Sequence, residues 1–121
     1  MPDVRSPLIA LGALNAALAV AAGAFGAHGL RGRLDARALE IFETGARYHM
    51  YHALAMILAG LVVARGASTA GWIFQAGIVV FSGSLYALAL TDVKILGAIT
   101  PLGGLAFLVG WVWLGVAAWK G

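Results

Sequence analysis

The sequence predicts an all-α membrane protein, a four-transmembrane-helix bundle with a short amphipathic interfacial helix between helices 1 and 2. Three observations lead there. Hydrophobic residues make up 62% of the 121 and charged residues only 11%, against about 25% charge in an average soluble domain. A chain this short cannot bury so much apolar surface in one aqueous core. The apolar residues also gather into four long runs, with the ionisable residues mostly between them. The whole chain, 1–121, then forms one integral membrane domain with the lipid bilayer as its first partner.

The first run, 8–27, contains no charge. A helix rises about 1.5 Å per residue, so this run spans roughly the 30 Å of bilayer hydrocarbon. A cleaved leader is the rival reading, with Arg5 as its basic start and Ala19-Val20-Ala21 as its cleavage site. The apolar run continues past that triplet and more spans follow, which favours a membrane helix.

Residues 28–47 hold Arg31, Arg33, Asp35, Arg37, Glu40, Glu43 and Arg47. Each would cost about 2.5–3.5 kcal/mol at the bilayer centre on insertion scales. At helical spacing, Leu34, Ala38, Ile41, Phe42 and Gly45 share one side, and the charged residues share the other. This predicts an amphipathic helix over 35–46, capped by Asp35 and lying at the interface. Arg37–Glu40 and Glu43–Arg47 have the spacing of helix ion pairs. The second span, 48–64, is near the lower length limit. It either starts afresh or continues the amphipathic helix with a bend at Gly45.

The third span, 70–91, is again uncharged, and Asp92 and Lys94 mark the next interface. Proline inside a helix costs about 3 kcal/mol but is welcome at the first helical position. Thr100 is therefore expected to cap a fourth span, 101–119, with Pro101 as its first residue. Trp72, Trp119 and Lys120 suit the interface belt. In lipid, helices approach through small residues. Span one offers Gly12, Ala16, Ala19, Gly23 and Gly26, and span four offers Gly103, Ala106, Gly110 and Ala117. With four spans, Arg5, Arg65 and Lys120 share one side, and Arg31, Arg33, Arg37, Arg47 and Lys94 share the other. Positive-inside counting then puts both termini outside the cytoplasm.

Three stretches carry a resemblance. They are Gly23-Ala24-Phe25-Gly26-Ala27-His28-Gly29-Leu30; Phe42-Glu43-Thr44-Gly45 with Tyr48-His49-Met50-Tyr51-His52-Ala53-Leu54-Ala55; and Leu96-Gly97-Ala98-Ile99-Thr100-Pro101-Leu102-Gly103-Gly104-Leu105 leading to Gly110-Trp111. In order and spacing these resemble the DUF423 family of small inner-membrane proteins, whose eukaryotic relatives are called transmembrane protein 256. The resemblance covers nearly the whole chain. It implies a four-helix protein of the bacterial inner membrane and supplies no reaction. Many bacterial members carry Gln where this chain has His49, which counts against His49 as an obligatory ligand.

Ionisable residues near a membrane are the places to look for function. His28 closes span one, and His49 and His52 open span two on one helix face. Together they suggest a proton relay, or a metal or haem site. The structural alternative has His28 and His52 hydrogen-bonding backbone carbonyls or Glu40 and Glu43, since a buried polar group needs a partner. Glu40, Glu43 and Arg47 form either a gate or lipid head-group site, or simply a solvated face. Asn15 is placed to bond across helices. Gln75, Ser82, Ser84 and Tyr86 spread over more than one face, as helix-bonding or pore-lining groups.

Other chemistries are excluded. There is no cysteine for a disulfide, a thiolate site or haem attachment. Gly23–Gly29 follows a membrane span and lacks the Lys-Ser/Thr of a phosphate loop. The basic residues edge apolar runs rather than cluster on one face, so nucleic acid is not a partner. No cofactor is expected and no enzyme chemistry is readable. The expected function is an accessory helix bundle that contacts a second copy or a larger membrane complex. The alternatives are a minimal oligomeric transporter or channel for a small solute or ion, and a histidine-based metal or haem protein.

Overall fold

The computed structural model describes the backbone of residues 5–121 and the side chains of residues 7–121. Arg5, counted above for topology and as a leader's basic start, has its side chain outside that range. The described chain is a bundle of helices with short connections. Helix α1 (Arg5–Ala24) runs on into a π-helical turn, Phe25–Gly29. Helix α2 is Ala36–Leu61 and α3 is Ala67–Gly77. A second π-turn, Ile78–Ser82, joins α3 to α4 (Gly83–Thr91), and α5 is Ile95–Lys120. Three helical stretches are long and apolar enough to cross a membrane: Pro7–Gly29, Ala67–Thr91 and Ile95–Lys120.

The amphipathic segment and the second run form one helix. Asp35 caps it as expected, its carboxylate accepting the Ala38 N–H at 2.8 Å. The helix then continues through Gly45 for 26 residues, about 39 Å. Gly45 serves close approach: a Cβ there would lie 3.1–3.3 Å from the Tyr86 ring and Leu85, and its carbonyl accepts a bond from Ser82 Oγ at 2.8 Å. α2 therefore follows the packing of α4 and does not break at the interface.

The fourth run differs from expectation as well. α5 begins at Ile95, and Pro101 lies inside it. Two contacts hold the turns before the proline helical. Gly97 packs on Leu88, and the Thr100 hydroxyl bonds both the Leu96 carbonyl (3.1 Å) and Ser84 Oγ (2.6 Å). These offset the single backbone bond that proline forfeits, a loss tolerated in membrane helices when neighbours re-satisfy polar groups. Gly32 and Gly66 take the left-handed backbone in the turns before α2 and α3.

Successive helices are antiparallel, with α3, the second π-turn and α4 forming one continuous helix. A Cβ at Gly71, early in α3, would meet Leu8 of α1 and Ala59 of α2, so these three ends share a level. At the other end Leu30, Phe42 and Ala89 form a second apolar cluster. The main core is Leu8, Ala55, Met56, Ala70, Phe74, Ile78 and Phe107. Outward faces are apolar too, with Leu54, Leu58, Leu102 and Val112 all at least half exposed. Such a surface suits lipid rather than water.

The small-residue faces are used unequally. Gly12 abuts Ile57 and the Ala53 carbonyl, and Gly26 abuts the Phe42 ring. Gly103 meets the backbone of Phe81 in the π-turn, and Gly110 meets the Phe74 ring. Ala19 is buried, Ala16 and Ala106 are half-buried, and Gly23 has open space beside it.

Candidate functional site

The interior carries a chain of polar side chains drawn from four elements. Asn15 sits on the buried face of α1, and its amide nitrogen donates to the Leu11 carbonyl at 3.0 Å and to Gln75 Oε1 of α3 at 2.7 Å. Its oxygen faces His49 Nε2 of α2 at 2.9 Å, and His49 Nδ1 faces the Tyr86 hydroxyl of α4 at 2.9 Å. Met56 Sδ lies 3.6 Å from the Asn15 nitrogen as a weak third acceptor.

The partners fix the protons. A backbone carbonyl can only accept, so the Asn15 atom facing Leu11 is the nitrogen. The atom facing His49 is then the oxygen, and His49 carries its proton on Nε2. In the neutral ring His49 Nδ1 then holds the lone pair and accepts from the Tyr86 hydroxyl. The same logic applies to His52. Its Nδ1 donates to the Tyr48 carbonyl at 2.8 Å, so Nε2 accepts from Trp111 Nε1–H of α5 at 3.0 Å. The His52 ring also stacks on Phe107, centroids 3.5 Å apart and planes within 6°.

His52 is thus neutral, with its only lone pair spent on Trp111, and both ring nitrogens of His49 are engaged by internal partners. A metal ligand needs a free lone pair. Among the described residues no group of three or more His, Asp or Glu is close enough to hold a metal ion. No buried side-chain nitrogen or oxygen among them lacks a partner.

The histidines named from the sequence are distributed as follows. His49 and His52 are buried, on separate networks. His28 is exposed in the π-turn that ends α1. Its neighbour Gly26 packs on Phe42, ten residues and about 15 Å along α2 from His52, so His28 and His52 do not meet. Glu40, Glu43 and Arg47 all face outward. Among the described residues the ion pair that closes is Lys94–Asp92 at 2.7 Å, and the Arg37–Glu40 and Glu43–Arg47 spacings close none. The hydrogen bond and charge of Lys94 hold the Asp92 carboxyl below the usual carboxylate range, with Arg37 acting the same way.

Asn15, Gln75, Tyr86 and Trp111 complete the site. Their sequence signal is polarity inside otherwise apolar helices. Periodicity gave their faces without saying which faces meet.

Apolar helices of spanning length around a fully paired polar interior define a small integral membrane protein of helical type. Within that class, residues 22–104 match the family described as "Protein of unknown function (DUF423)". The chain belongs to that family. It is 52% identical over 117 residues to UPF0382 membrane protein YwdK of Bacillus subtilis, covering 93% of this chain and 95% of the relative. A UPF0382 membrane protein of Staphylococcus aureus (strain bovine RF122) is 49% identical over 115 residues, covering 93% and 94%. One from Staphylococcus epidermidis is 52% identical over 115 residues with the same coverage. No solved structure matches.

Proposed function

We propose that this chain is a structural or accessory helix bundle of the bacterial inner membrane, working through helix contacts with a second copy or a larger membrane complex. It crosses the bilayer four times, has both termini outside the cytoplasm, and performs no enzymatic reaction. The crossing of α2 is supported by its antiparallel run along α1, from Phe42 beside Gly26 to Ile57 beside Gly12. It is also supported by the outward Leu54, Leu58 and Leu61 of its second half. The orientation is supported by the excess of basic residues in the 28–47 and 92–94 segments.

The observation that carries the functional reading is the occupied state of both buried histidines. A proton relay or ligand site needs a group with a free lone pair or an exchangeable partner. Here the two buried histidines instead tie α2 to neighbouring helices, His49 to α1 and α4 and His52 to α5.

The test is to reconstitute the purified protein into liposomes beside His52→Ala. Wild-type vesicles should pass protons and potassium no faster than empty ones, and His52→Ala should lower the unfolding midpoint. A flux above that of empty vesicles, abolished by His52→Ala at unchanged stability, would overturn the reading in favour of a channel.

A further inference from the structure

Two separate cavities lie in line on the α2–α5 side. The mouth, about 470 Å³, lies between the start of α2 and the α4–α5 turn. Arg33, Arg37 and Lys94 line it, together with Asp35 and Asp92. The inner end, about 520 Å³, lies deeper, among Tyr48, Tyr51, Phe81, Phe107 and Trp111. Helical spacing aligns the two. On α2, Arg37 and Ile41 line the mouth, and Thr44, Tyr48 and Tyr51 line the inner end, in steps of four and three residues along one face. On α5, Gly97 lines the mouth, and Gly104, Leu108 and Trp111 continue the same stripe. Leu88 and Phe81, seven residues apart on the segment between, supply the floor.

The polarity along this line is that of an amphiphile. Three cations face two carboxylates at the mouth. Asp35 is engaged in capping α2 and Asp92 in holding Lys94. Arg33 and Arg37 close no ion pair among the described residues. From Arg37 to Tyr51, and from Gly97 to Trp111, the line runs about 21 Å, enough for an extended acyl chain. Basic pockets between membrane helices hold anionic head groups, and arginine is suited to phosphate oxygens.

We infer that the two cavities form one groove that binds an anionic phospholipid, its phosphate at Arg33, Arg37 and Lys94 and one acyl chain between α2 and α5 as far as Trp111. The inference rests on α2 crossing the bilayer beside α5, which cysteine labelling tests independently.

The experiment takes the full chain, delipidated in detergent and offered phosphatidylglycerol or phosphatidylcholine with the same acyl chains. Native mass spectrometry then counts the retained lipid. One phosphatidylglycerol per chain should be retained in preference to phosphatidylcholine, by a factor of about five for each basic residue engaged. Arg37→Gln with Lys94→Gln should cut that preference to the factor of about five that Arg33 supplies alone. Gly104→Leu should expel both lipids, because a Cβ there has only ordinary contact with Phe81 and the rest of the side chain enters the groove. Gly83→Leu, where nothing lies within 4 Å of an added Cβ, is the matched control and should retain the lipid. Equal retention of the two lipids by the wild type would overturn the inference. So would undiminished phosphatidylglycerol on the Arg37, Lys94 double variant.

Discussion

Removing the His49 imidazole strands two partners at once, the Asn15 oxygen and the Tyr86 hydroxyl. Interhelical bonds in membranes average about 0.6 kcal/mol and reach about 1.7, and a stranded buried group adds to the loss. His49→Ala should therefore destabilise the bundle by about 1–3 kcal/mol in a detergent unfolding titration. His49→Gln keeps an N–H for Asn15 and should lose roughly half as much. Equal and negligible losses would show that the network adds nothing to stability. Glycines give a second contrast. A Cβ at Gly103 would run into the Phe81 backbone, whereas Gly115 has nothing within 4 Å. Gly103→Ala should cost about 1–3 kcal/mol, and Gly115→Ala should gain up to about 1 kcal/mol from helix propensity. Both are read from the same titration. The sequence marks Gly103 and Gly110 as small residues on one helix face, but so is Gly23, which contacts nothing within 4 Å. What separates them is the facing helix: Gly110 meets Phe74 of α3, and Gly103 meets Phe81 in the π-turn, a local register shift without a compositional signal.

At the scale of elements, the apolar runs were legible because charge and hydropathy mark them directly. The continuity of α2 and α5 was less so. Local rules favour a bend at Gly45 and a start at Pro101. The Tyr86 ring and the Ser84–Thr100 bond decide otherwise, and both belong to α4, which local rules do not consult. Because Pro101 is inside α5, it has no N–H to give the Gly97 carbonyl four residues back. Pro101→Ala should restore that bond and raise stability by roughly 1–3 kcal/mol, read as a later unfolding midpoint. A lowered midpoint would mean that the ring's packing outweighs the missing bond.

For the molecule as a whole, the sequence contains no cysteine, so single substitutions report topology without a background. Cysteines at Gly66 and Gly121 should react with an impermeant maleimide added to intact cells, and one at Gly32 only after the membrane is opened. Labelling of Gly66 and Gly121 from opposite sides would refute four crossings, and full reversal would refute the orientation. The polar chain through the bundle also bears on biogenesis. A ribosome delivers α1 and α2 first, and together they can close the Asn15–His49 bond. Gln75 and Tyr86 arrive only with the next helices, and the Trp111 N–H that engages His52 arrives last. Until translation is nearly complete, each nascent intermediate therefore carries an unmet amide or imidazole inside oil. That chemical difference separates an unfinished chain from a finished one, and insertion chaperones and membrane proteases have it available to sense.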